Sequence, residues 1–384
     1  MSTRYTYYVV DLADGRIIGD LPLTGVSFSR VLNGTGKLRA NLPTRAPGVR
    51  ALEPRRLTEP GRSAVYVDRD DRLVWGGIIW TTRYAAADGT LEISAADFLS
   101  YLEHRYVLPA QPPRATPVAQ WPPVRIPEGG GRADQLDIAA ELVRLGQRGG
   151  GITPGMGFRR AGRDDSPSGV ARSVEYRPYE FKPVAEALDD LAAAEDGFDY
   201  TCTVSWSRGV PEPALLVGSP RLGQEGQPHL WEYGAGLVDF TWPVDGADMA
   251  TRVFAQGAGS ESEQLIAVSP EDGEVPPKRP LLEDTLSVLD IGDPALLQAH
   301  ADRHRRGAER PIVLPELTVR ADRHPRLGSY EVGDRARILI DDPFLGQRRD
   351  VSTRITEFEV APGADAGEEL VRLTVRPVGE VDAT

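Results

Sequence analysis

Residues 73–84 read Leu-Val-Trp-Gly-Gly-Ile-Ile-Trp-Thr-Thr-Arg-Tyr, and residues 91–102 answer with Leu-Glu-Ile-Ser-Ala-Ala-Asp-Phe-Leu-Ser-Tyr-Leu. β-Branched and aromatic residues fill the first run. Its period-two alternation places Ile78, Trp80, Thr82 and Tyr84 on one face. Between the runs, Ala87-Asp88-Gly89 is a hairpin signal, since Asp-Gly tolerates the positive φ of a tight turn. Two antiparallel strands are therefore expected, with residues 96–104 as a short helix closing one end. Toward the N-terminus, residues 5–12, 25–28, 37–42 and 64–68 also read as strands. Residues 1–108 are expected to form an antiparallel β-barrel.

Beyond residue 108 the pattern breaks. Pro112-Pro113, Pro122-Pro123, Gly129-Gly130-Gly131 and Gly149-Gly150-Gly151 punctuate residues 109–175, which read as a Pro/Gly-rich insertion or arm. One helix is expected inside it, near 132–146, with Leu136, Ala139, Ala140 and Val143 at helical spacing. Residues 176–246 read as a small α/β domain. Its helix begins at Pro183, buries Val184, Leu188 and Leu191, and stops at Gly197; strands follow at 198–206, 214–218 and 237–242. Residues 247–384 are expected to form a second β-barrel with an inserted helical segment at 281–307. Asp293-Pro294, a capping residue followed by a favoured first residue, starts that helix.

The two ends echo each other. Residues 59–67 align with 331–339, and Thr82-Arg83-Tyr84 with Thr353-Arg354-Ile355. The fold class is thus mainly β with α+β insertions: two related antiparallel β-barrels plus a small α/β domain.

Composition narrows the function. The 384 residues are 40% hydrophobic and 26% charged, as in soluble globular proteins. No apolar run approaches the roughly 20 residues that span a bilayer. The opening residues lack the basic start and apolar middle of a secretion signal, so synthesis and storage in the cytoplasm are expected. A single cysteine, Cys202, leaves no internal disulfide and no zinc site built on cysteine pairs. It lies in an alternating apolar stretch and reads as a buried, inert thiol. The net charge of -13 repels phosphate backbones, which argues against nucleic-acid binding as the main task.

The chain carries none of the motifs G-x-S-x-G, H-E-x-x-H or G-x-x-x-x-G-K-[ST]. Gly257-Ala258-Gly259-Ser260 is followed by Glu261, Ser262 and Glu263, whose charge is the wrong sign for a phosphate loop. His300 and His304 have the spacing of a helical metal pair, but no third ligand is fixed. A basic helix end explains them better. Adjacent acids at Asp164-Asp165, Asp189-Asp190 and Asp341-Asp342 point apart rather than across a cleft, unlike glycosidase carboxylates. Of the tryptophans Trp75, Trp80, Trp121, Trp206, Trp231 and Trp242, most sit in alternating strands and belong to the core. Trp121, within proline-rich sequence, is the candidate partner-contact anchor. No catalytic, cofactor or metal residue is assigned.

Four stretches carry a family likeness. Val26-Ser-Phe-Ser-Arg-Val-Leu-Asn-Gly34 resembles the opening of minor tail proteins, or tail hubs, of actinobacterial siphophages. The hairpin runs at 73–84 and 91–102 look like that family's first barrel. Asp248-Met-Ala-Thr-Arg-Val-Phe-Ala-Gln-Gly-Ala-Gly259 and Tyr330-Glu-Val-Gly-Asp-Arg-Ala-Arg-Ile338 are similar to its later one. The resemblance implies a non-enzymatic virion protein, a homotrimeric ring at the tail tip. Its implied partners are the distal tail protein ring, the tape measure protein and tip or fibre proteins, with DNA passing through the lumen. It implies no cofactor. A hub of a contractile injection system and a carbohydrate-binding receptor-recognition protein are the alternatives.

Overall fold

From Tyr5 onward the predicted alternation becomes a ladder. Strands β1 (Tyr5–Asp11), β2 (Arg16–Asp20), β3 (Thr24–Val31) and β4 (Lys37–Pro43) lead to a helical turn, α1 (Pro54–Leu57). Then come β5 (Ser63–Arg69), β6 (Arg72–Ala85), β7 (Thr90–Asp97) and the short α2 (Leu99–Glu103). They pair antiparallel in the order β3-β4-β7-β6-β5-β1-β2. This computed structural model describes the whole chain except residues 1–2, 111–116, 118–119, 163–165, 227, 260, 271–278, 289–290, 314, 347, 364–367 and 379–384.

The expected single face of β6 is interrupted. Its ladder with β7 skips Trp80, so Ile79 faces Ala95 while Thr81 faces Ser94. A bulge places two residues against one and turns the side chains over. Ile78 and Ile79 are consequently both buried, whereas Tyr84 is 57% exposed. Gly77 sits where strands crowd: a Cβ there would lie 2.3 Å from the Ala96 carbonyl oxygen.

The Pro/Gly-rich stretch supplies β8 (Val124–Ile126), β9 (Ala133–Asp134), α3 (Gln135–Gly146), β10 (Gly157–Arg160), β11 (Ala171–Arg172) and β12 (Val174–Tyr176). Asp134 caps α3 by accepting the Leu136 amide at 2.9 Å. Next are α4 (Val184–Ala193), β13 (Asp199–Ser207) and β14 (Val210–Gly218), with β10 parallel to β14 and β13 antiparallel to it. Ile138, Leu142, Val184, Leu188, Phe198 and Leu215 share one core with Tyr66, Ile78, Phe98 and Leu102 of the first β unit. Of residues 109–175, the described helix α3 is thus packed into this core. The apolar stripe of α3 is what this core buries.

The strands β15 (His229–Glu232) and β16 (Leu237–Thr241) precede a separate small unit, Thr241–Pro315. It contains β17 (Val244–Asp245), β18 (Arg252–Gln256), β19 (Ile266–Ser269), β20 (Glu283–Ser287), α5 (Pro294–Ala308) and β21 (Ile312–Val313). As expected, Asp293 caps α5, accepting the Ala295 amide at 3.0 Å. This unit's core is slight, built on Ala255, Ala267, Leu297 and Ala301.

The chain then returns to the first unit, Met1–Phe240 with Glu316–Val378, through β22 (Glu316–Arg320), β23 (Arg335–Ile340), β24 (Arg349–Ala361) and β25 (Leu370–Pro377). These strands and the preceding pair take the order β16-β22-β25-β24-β23-β15. Glu357–Val360 of β24 also pair antiparallel with Phe28–Val31 of β3, joining both β units into one 13-stranded sheet. The two compact units thus meet in the chain at 240 and 315.

The C-terminal order matches β3-β4-β7-β6-β5-β1 strand for strand. Even the bulge recurs. The β24–β25 ladder skips Thr356, and five pairs lie between the bulge and the hairpin in each unit, Thr81–Ala85 with Thr90–Ser94 and Glu357–Ala361 with Leu370–Thr374. Trp80 is therefore equivalent to Thr356, and Thr82 to Phe358. The alignment of Thr82 with Thr353 is five residues out of register, because short matching motifs carry no information about ladder position.

Candidate functional site

Several of the acids and histidines singled out in the sequence have structural partners. The Tyr200 hydroxyl donates to Asp189, and Lys182 pairs with Asp190 at 2.7 Å. Asp342 accepts the Phe344 amide at 2.9 Å, capping a turn, while Asp341 is exposed. Asp164-Asp165 lie outside the described residues. His304 Nε2 sits 2.7 Å from Asp284 Oδ2, and among the described residues no group of three His, Cys, Asp or Glu side chains could hold a metal ion. Cys202 is buried, which pushes its thiol pKa well up.

Trp75 is buried and donates to the Ser29 carbonyl at 2.9 Å; Trp231 is buried as well. Trp80 and Trp206 are part-buried, donating to Ser100 Oγ at 2.8 Å and Asp68 Oδ2 at 3.0 Å. Trp121 is half-buried. None of these forms an open aromatic platform. Sequence reading missed a different set: Tyr106, Tyr179 and Phe181 are each about half exposed, and Phe344 is 93% exposed on the turn between β23 and β24. Tyr106 and Phe181 rings meet edge to face at 6.0 Å.

What the fold does assemble is a seam between its two β units. Arg69 grips Glu369 with both prongs, Nε at 2.9 Å and Nη2 at 2.7 Å, and the Tyr5 hydroxyl donates to the same carboxylate. Arg30 reaches Glu331 at 2.5 Å and the Val74 carbonyl at 2.8 Å. Beside the seam, Arg354 ties the C-terminal unit to the α/β region, pairing with Asp199 of β13 and donating to the carbonyls of Gly333 and Leu222, both at 2.8 Å. Burial, hydrogen bonding to Glu369 and its charge raise the Tyr5 pKa. A cavity of about 400 Å³ opens beside the seam, lined by Arg30, Arg72, Trp206, Tyr330 and Phe358.

One buried acid departs from ordinary behaviour. Asp97, at the end of β7, accepts the amides of Gly36 at 2.6 Å and Leu99 at 2.9 Å. Burial pushes its pKa up to about 7, against the opposing pull of those two amides.

A second feature is a groove of about 970 Å³ beside β6. Tyr84, Leu91, Pro54 and Pro60 form its apolar surface, and Arg45, Arg50, Arg55 and Arg56 its rim, against Glu53 and Glu59. Arg45 is held by the carbonyls of Ala86 and Ala87 at 2.5 and 3.1 Å. Glu53 takes a left-handed conformation, φ 51°, turning the chain between Arg50 and Arg55. Such a conformation costs a non-glycine residue on the order of 1 kcal/mol.

No protein-family model matches this sequence, and no curated protein matches it. Solved structures do. A tail protein of Neisseria meningitidis aligns with TM-score 0.58 and 14% identity over 97% of this chain and 96% of its own. A prophage MuSo2 43 kDa tail protein of Shewanella oneidensis gives 0.58 and 13%, over 98% of both chains. A chain of the Francisella PdpA-VgrG complex gives 0.51 and 8%, over all of this chain and 60% of that one. At these identities the likeness is one of fold. The fold of this chain, two joined β units with α+β insertions, is the fold it shares with these two tail proteins.

Proposed function

We propose that the chain is a structural hub at the tail tip of a long-tailed phage, of the kind found in actinobacterial siphophages. It closes into a threefold ring between the distal tail ring and the tip. The repeated β unit is the observation that carries this reading. A tail tube is sixfold, and three chains with two similar units each offer it six similar modules. The net charge of -13 suits a lumen through which DNA passes without sticking. Besides the distal tail ring, the neighbours are the tape measure protein and tip or fibre proteins, with Trp121 an anchor toward one of them.

Gold-labelled antibody against this chain should mark the tail end distal to the head in intact particles. Labelling along the shaft or on the head would contradict the proposal. No hydrolytic role is proposed: purified protein should release no soluble fragments from host cell wall. Release that Asp341→Asn or Asp342→Asn abolishes would overturn that. The likeness to a chain of a VgrG complex favours a second reading, the hub of a contractile injection system. Purified particles separate the two, a genome-filled head marking the phage.

A further inference from the structure

Within the chain, β24 is paired along one edge by β25, and along its other edge first by β23 and then by β3. Its equivalent, β6, is paired by β7 along one edge and by β5 along the other only as far as Ile78. Among the described residues nothing pairs with the second edge of Thr81–Ala85, the segment equivalent to the one β3 covers on β24. β3 itself is the terminal strand of the N-terminal unit, and its counterpart is β16, whose one strand partner among the described residues is β22, beside an isolated bridge from Leu237 to Tyr233. The joint is made once within the chain, and its two remaining halves, the β6 edge of the N-terminal unit and β16 of the C-terminal unit, stay unfilled among the described residues.

We infer that the open edge of β6 receives β16 of a second copy of this chain, repeating between chains the joint that β24 and β3 make within one. Backbone pairing at an exposed edge supplies affinity, and flanking side chains supply selectivity. The groove bordering that edge, through Thr82 and Tyr84, carries four arginines against two glutamates. Leu237–Thr241 carries one charge, Asp239, and exposes Val238 at 41%. An apolar strand with a single acid fits an apolar groove with a cationic rim. DNA fits it poorly. The net charge of -13 repels a long polyanion, while a short strand senses mainly the charges within a Debye length of about 8 Å. Because the donor and acceptor surfaces differ, the contact is head-to-tail and closes only as a ring.

This inference rests on the ring reading, and two measurements tell their failures apart. First, solution mass is taken for the full-length protein, for Asp239→Arg, for Arg50→Glu/Arg55→Glu, and for all three changes together. All these positions are outside the core, so folding should survive, with circular dichroism as the check. Each partial variant should associate at least about tenfold more weakly at low salt, and the triple variant should regain association. Second, Thr82→Cys is combined in turn with Val238→Cys and Phe240→Cys and oxidised; the native Cys202 is buried and stays silent. A closed covalent ring on a non-reducing gel is expected from at least one pair. If the unaltered protein assembles while every charge variant assembles equally and neither pair cross-links, this joint is wrong and the ring reading stands. If the unaltered protein never assembles, alone or with its tail neighbours, both fail. Association lost on charge reversal but without cross-linking would overturn the second-copy assignment in favour of a different acidic partner.

Discussion

The two β units share a strand order and a bulge, yet differ in their last strand and in what covers them. In the N-terminal unit, β1 lies antiparallel to β5 over Tyr5–Asp11. In the C-terminal unit, β15 lies parallel to β23 over His229–Glu232. The first strand enters from the chain start, the second from the α/β region, and the direction of entry sets the direction of pairing. The N-terminal unit shares its core with α3, α4, β13 and β14. The lesson is that the inner ladder, with its bulge, is the part the two units hold in common. Outer strands and coverings follow connectivity.

The comparison can be broken first at the seam. Arg69 and Glu369 are 19% and 11% exposed, so their charges are largely out of water. Arg69→Leu strands the Glu369 carboxylate and should cost about 3–5 kcal/mol in denaturant unfolding, with Arg69→Leu/Glu369→Leu recovering much of it. A loss below about 1 kcal/mol would mean the β24–β3 ladder alone joins the units.

The repeat itself is sharpened by matched truncations. Ile79 and Ile355 flank the bulge in equivalent positions, and both are fully buried. Ile79→Ala and Ile355→Ala should each cost about 3 kcal/mol. Costs differing by more than about 2 kcal/mol would show that the two bulges sit in unlike cores.

A smaller effect marks what the units do not share. The position on β25 matching Asp97 of β7 is Pro377, so the C-terminal unit has no such acid. Asp97 is raised from 3.8 to about 7, so its folded form holds a proton more tightly than its unfolded form. Its contribution is fully present below about pH 3.8 and is lost as pH rises to about 7. Asp97→Asn, which leaves one of the Gly36 and Leu99 amides facing a donor, should destabilise by about 1–3 kcal/mol. The gap between wild type and variant should narrow from pH 4 to 7 (about the range between the two pKa values). A gap that widens with pH would show that Asp97 titrates in the opposite sense.

Much of this was legible in the residues. Strand patterns marked β1 and β3 to β7, and Asp293-Pro294 marked the start of α5. The bulge at Trp80 was not legible, because an extra residue leaves composition unchanged while reversing every face beyond it. Nor was the pairing of β24 with β3, whose partners lie more than 300 residues apart and carry no local signal. The prolines and glycines of residues 109–175 announce turns but not whether the segments between them are buried. Of the β6 groove, the arginines at 45, 50, 55 and 56 were visible, but their convergence depends on the left-handed turn at Glu53.

The central claim, two similar modules per chain arranged for a sixfold neighbour, is tested most directly by solution mass. Light scattering at micromolar concentration, on the chain alone and mixed with the protein of the adjoining tail ring, should give three times the 41.8 kDa chain mass alone or, in the mixture, that mass added to the mass of the adjoining ring. A single-chain mass in both conditions would contradict it.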